Sequence, residues 1–134
     1  MAISMMDAYT IELLRNHPYT FDEIKHYIEN DELHLVTDSY DVDTDSLKTL
    51  LSENAKAMEK AFAGEYQVKF MTINGLKNLL RMRFKISGDQ YELLPEGNGL
   101  QSLLVDSITE QQIRGMLSSN WKVERHGKHI TLFV

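Results

Sequence analysis

Between Leu47 and Gly64 the chain is confined to a helix. Leu47, Leu50, Leu51, Met58, Ala61 and Phe62 recur at spacings of three, four and seven residues, which puts them on one helical face. Gly64 follows at the place where helices end in a left-handed residue. An apolar face of that length has to be buried, so the front of the chain is expected to be a packed layer of helices.

Two more helices are predicted ahead of it. The first spans about Met5 to Asn16 and is stopped by His17–Pro18, because the residue before a proline is pushed out of the α region. The second opens at Thr20, where Thr20 and Glu23 have the spacing of a capping box, and it continues through Phe21, Ile24, Tyr27 and Ile28. A short extended piece is expected at Leu33–Val36.

Beyond Gly64 the periodicity changes. Glu65–Thr72 reads as a strand with Tyr66, Val68 and Phe70 on one face, and Ile73–Leu80 as a short helix. Arg81–Ser87 alternates, with Met82, Phe84 and Ile86 one way and Arg81, Arg83 and Lys85 the other. A turn at Gly88 would lead this strand into Gln90–Leu94. Pro95–Gly99 is a loop, Ser107 and Glu110 suggest a second capping box opening a helix to about Leu117, and the last fourteen residues form a hairpin about His126–Gly127. In that register Trp121 faces Leu132 and Val123 faces Ile130.

The fold expected is α+β. A helical N-terminal half of about three helices is followed by a mainly antiparallel sheet of hairpins, with two short helices packed on one face. The 134 residues are expected to form one domain, with residues 1–64 its acidic helical part and 65–134 its strand-rich, mildly basic part.

Composition narrows the function. Hydrophobic residues at 43% and charged residues at 25% are globular proportions. With no cysteine there is no disulfide and no thiolate chemistry, which fits a cytoplasmic protein. The N-terminus lacks a basic region and carries Asp7 and Glu12 in its apolar stretch, so no export signal and no membrane association are expected. The net charge of −6 is uneven: residues 1–66 hold 5 Lys/Arg and 14 Asp/Glu, and residues 67–134 hold 9 and 6. An acidic chain is a poor nonspecific ligand for nucleic acid, whose phosphates supply most of that affinity.

Four clusters are candidate sites. Asp41, Asp43 and Asp45 have the first three ligand positions of a calcium loop, but Ser46 stands where its turn needs glycine and Ser52 where it needs glutamate. They read better as the acidic start of a helix, with a weak divalent site as the alternative. Glu23 and His26 share a helix face, but di-iron sites need two such pairs. His126 is at the tip of the predicted turn and His129 stands opposite Glu124, so the two rings need not converge. Arg81, Arg83 and Lys85 form a basic ladder with Lys77 just upstream, able to bind phosphate or an acidic partner, or nucleic acid in the alternative reading.

The helix at Ile108–Leu117 with the terminal hairpin resembles the last helix and wing of a winged-helix protein. That resemblance implies a nucleic-acid regulator reading through Glu110, Gln111, Gln112 and Arg114, a modest set for the purpose. No phosphate loop, nucleophile elbow or dinucleotide motif is present, so no cofactor is expected and an enzyme, metal- or phosphate-dependent, is the weaker reading. The expected function is a binding or regulatory module whose partner is another protein or a second copy of the chain, as a homodimer. Nucleic acid is the alternative.

Overall fold

The computed structural model describes residues 2–38 and 44–134. The chain is α+β and forms two compact units, Met1–Tyr66 and Gln67–Val134.

The first unit opens with a two-residue extended segment, β1 (Ala2–Ile3), followed by α1 (Met5–Asn16), α2 (Phe21–Glu29), α3 (His34–Thr37) and α4 (Thr44–Phe62). α1 starts where Ser4 accepts the Asp7 backbone N–H, and α2 starts with the predicted capping box of Thr20 and Glu23. Glu23 is therefore occupied as a cap, while His26 lies beside the Asn30 amide. Leu33–Val36 is not extended: the segment closes a single helical turn, with Thr37 donating its hydroxyl to the Leu33 carbonyl. α1 and α2 pack against α4, and Ile11, Leu14, Ile24, Leu33, Leu47 and Met58 are fully buried. Each such side chain contributes roughly 1.5–3 kcal/mol by leaving water.

α4 is two helices in one. Asn54 takes φ −155° and ψ 75°, outside the helical region. Its side-chain oxygen accepts the Ala57 N–H at 3.1 Å, so Asn54 caps the second half. Gly64 ends the run at φ +86°. Two carboxylates are buried here. Glu12 accepts from Arg15 at 2.9 Å and from the Tyr66 hydroxyl at 2.5 Å, and Asp7 accepts the Ser46 hydroxyl at 2.8 Å.

The second unit comprises β2 (Gln67–Val68), α5 (Ile73–Phe84), a 3-10 turn at Gly88–Gln90, β3 (Glu92–Leu93), β4 (Gly99–Leu104), α6 (Ser107–Met116), β5 (Lys122–His126) and β6 (His129–Phe133). The sheet is antiparallel, in the order β3-β4-β6-β5. Its inward face buries Leu100, Leu103, Ile130 and Leu132.

Several expectations are corrected in this unit. The strand after Gly64 stops at Val68, so Phe70 turns out to 82% exposure and Met71 takes the buried place. Arg81–Ser87 is not a strand: α5 runs on to Phe84, because Leu76, Leu79 and Leu80 hold the helical face inward and Arg, Met and Arg are good helix formers. The supposed turn at Gly88 is a 3-10 turn closed by Ser87 and Gln90. The terminal hairpin forms, but its two-residue loop is Gly127–Lys128 rather than His126–Gly127. Gly127 adopts φ +66°, and a glycine at the first position of such a loop suits the twist of the strands. Val123 consequently pairs with Leu132, and Arg125 with Ile130.

α6 is capped by Asp106, one residue before the predicted Ser107. Asp106 accepts the Thr109 N–H at 2.7 Å, and that bond holds its carboxyl below the usual range. This frees Glu110 for another task. It accepts from Arg114 at 2.8 Å and from Arg125 at 2.5 Å, while Arg125 also donates to the carbonyls of Val105 and Gly127. One guanidinium thus ties α6, the end of β4 and the hairpin turn together. The hydrogen bond from Arg114, then that from Arg125, hold the Glu110 carboxyl below its ordinary value near 4.5. A carboxyl depressed in the folded state contributes stability that is present above the unfolded value and is lost as pH falls through the folded one. Wild-type melting temperature is therefore expected to drop between about pH 5 and pH 3. Glu110→Gln should start lower and lose less over that interval, measured by thermal melts across pH.

Candidate site on helix α5

Helix α5 begins with Thr72, whose hydroxyl accepts the Gly75 N–H. With Leu76, Leu79 and Leu80 inside, the 3.6-residue repeat places Asn74, Lys77, Asn78 and Arg81 along one outer stripe. Lys77 and Arg81, four residues apart, are neighbours on it. The chain then turns back past Ser87 and Gly88, and Tyr91 packs in beside the stripe. Together these residues line a cleft of about 420 Å³. Arg81 is steadied by a hydrogen bond to the Asn78 side-chain oxygen at 3.0 Å. Burial pushes the Tyr91 phenol above its ordinary value, and the Arg81 guanidinium draws it part of the way back. Among the described residues, no carboxylate lies within ion-pair distance of Lys77 or Arg81. The cleft therefore offers two cations, amide and hydroxyl groups, and one phenol. That set suits a carboxylate or a phosphate.

Of the four cations singled out from sequence, the structure brings Lys77 and Arg81 together in this cleft. Arg83 leaves the stripe and places its guanidinium 5.0 Å from the centre of the Phe84 ring. Lys85 lies just past the helix, its ammonium 3.1 Å from the Met82 carbonyl. It occupies the left-handed cap at φ +59°, and Ile86 closes the end by donating to the Leu80 carbonyl. Glycine takes that conformation without the cost a side chain incurs. Lys85→Gly is accordingly expected to raise stability by about 1 kcal/mol, seen as a higher urea midpoint with an unchanged slope.

Sequence reasoning missed Asn74, Asn78, Ser87 and Tyr91. The first two were within reach through their spacing from Lys77 and Arg81. The others face the stripe only because residues 81–84 are helix, whereas the strand reading sent the reversal at Gly88 into a hairpin.

The other candidates are dispersed. Asp41 and Asp43 lie outside the described residues. Asp45 is exposed in the first turn of α4, and Ser46 is turned to Asp7. Among the described residues, no group of three or more His, Cys, Asp or Glu could hold a metal ion. α6 gives Glu110 and Arg114 to internal ion pairs, which leaves Gln111 and Gln112 exposed. No helix among the described residues is long and apolar enough to cross a membrane. Compared with protein-family models, with curated proteins and with solved structures, the chain matches none.

Proposed function

We propose that this chain is a small protein-binding module, and that the cationic stripe of α5 receives an acidic group of its partner. The observation that carries the reading is the cleft in which Lys77 and Arg81 stand side by side without a described carboxylate in ion-pair distance. Two cations held without a counter-charge repel each other, and an incoming carboxylate relieves that cost.

The partner is another protein with an acidic surface, or a second copy of the chain, whose first 66 residues carry a net charge of −9. Nucleic acid is disfavoured by the chemistry around the cleft, where Tyr91 is buried and Phe84 is only half-exposed beneath Arg83. Among the described residues that line the cleft, no open ring is left for a base to stack on. Titrating the whole chain with a labelled acidic peptide, and in parallel with single-stranded and duplex DNA, separates the two. The module reading expects saturable peptide binding that Lys77→Glu/Arg81→Glu abolishes. Tighter binding of DNA than of the peptide would favour the alternative.

A further inference from the structure

His126 and His129 stand directly opposite each other across the β5–β6 hairpin. Side chains of directly paired residues point to the same face of an antiparallel ladder, with Cβ atoms about 4.5–5.5 Å apart. Both rings are exposed. Glu124, two residues before His126, shares that face, and its carboxylate oxygen lies 3.4 Å from His126 Nε2. On its other side His129 pairs with Leu104, an apolar neighbour that does not compete for the ring. The turn that sets this register is held from the opposite face, where Arg125 donates to the Gly127 carbonyl at 2.8 Å. The two imidazoles are thus mounted on paired strands rather than on a free loop, which preserves their geometry.

We infer that this pair is a chelating site for a borderline divalent transition ion of the Zn²⁺ or Ni²⁺ kind. Neutral imidazole is the ligand such ions favour, and hard Mg²⁺ prefers oxygen and its own water. Glu124 against His126 repeats the carboxylate–imidazole pairing that orients metal-binding histidines. No group of three or more His, Cys, Asp or Glu among the described residues could hold the ion, so the two histidines supply two positions, with Glu124 orienting His126, and the rest fall to water or to a ligand from a partner.

The test titrates the whole chain with Zn²⁺ alone, with Ni²⁺ alone and with Mg²⁺ alone. Calorimetry and imidazole NMR signals report the binding. Zn²⁺ and Ni²⁺ should saturate at one ion per chain, Mg²⁺ should be silent, and the rings of His126 and His129 should shift while those of His17, His26 and His34 stay. His126→Ala and His129→Ala should each weaken binding at least tenfold, and Glu124→Gln by about tenfold or less. Both histidines are exposed at the hairpin end, and an unchanged Trp121 fluorescence melt verifies that the variants fold. Absence of binding to the wild type, or wild-type affinity in either histidine variant, would overturn the inference.

Discussion

Gly99→Ala is expected to destabilise the second unit by about 3 kcal/mol or more, an unusually large cost for one methyl group. A Cβ at Gly99 would lie 2.1 Å from the Leu132 carbonyl oxygen and 2.8 Å from the Phe133 Cα. Both are backbone atoms of β6, which is hydrogen-bonded on its two sides to β4 and β5, so neither can step aside. Relief requires β4 to part from β6 where Gly99 pairs with Phe133 and Leu100 with Leu132. Trp121 is the only tryptophan of the chain and belongs to this unit, so its fluorescence in a denaturant series reads the loss directly. Two other glycines serve as controls, since an added Cβ at Gly88 or Gly115 meets nothing within 4 Å. Gly88→Ala should stay within about 0.5 kcal/mol, and Gly115→Ala, inside α6, should gain about 0.5–1 kcal/mol. Wild-type behaviour of Gly99→Ala would mean that β4 and β6 do not approach as described.

The second large effect is expected at Trp121. The ring is 7% exposed, and its Nε1–H donates to the Met71 carbonyl at 2.8 Å. The same stretch is held by two further bonds, from the Met71 N–H to the Ser118 hydroxyl at 3.0 Å and from the Gln67 amide to the Leu117 carbonyl at 3.1 Å. The indole is therefore both a core filler and the clasp between residues 67–72 and the start of β5. Trp121→Ala should cost about 3–5 kcal/mol, the range for emptying a large aromatic site. Trp121→Phe keeps most of the volume and loses the hydrogen bond, at about 1–2 kcal/mol. Circular dichroism in urea measures both. Equal costs for the two variants would mean that the bond to Met71, and not the packing, dominates.

Much of the helical front was legible. The stops and caps there are local: Pro18 ends α1, the Thr20–Glu23 box opens α2, and Gly64 closes α4. The break at Asn54 was not, because the apolar spacing continues across it while the capping side chain redirects the backbone. In the second unit the reading failed where two periods compete. Residues 81–87 alternate polar and apolar, yet three buried leucines upstream carry the helix through to Phe84. The strand β4 escaped notice because its alternation is interrupted: Ser102 sits at φ +62° in a register shift between Leu100 and Leu103. The cations of the α5 site were visible in sequence, but their arrangement depended on whether the segment is helix or strand. As a helix it pairs Lys77 with Arg81 and turns Arg83 elsewhere. The histidine pair depended on a one-residue shift of the turn.

The central claim is that the α5 stripe, rather than charge in general, receives an acidic partner. Fluorescence anisotropy of a labelled acidic peptide, titrated with the whole chain at low salt, tests it most directly. Three proteins are compared: wild type, Lys77→Glu/Arg81→Glu, and Lys56→Glu/Lys128→Glu, which makes the same change in net charge at two exposed lysines that do not line the cleft. The account predicts saturable binding to wild type, at least a tenfold loss in the first variant, and a change within about twofold in the second, with all three melting alike. Equal weakening in the two variants, or no binding to wild type, would contradict it.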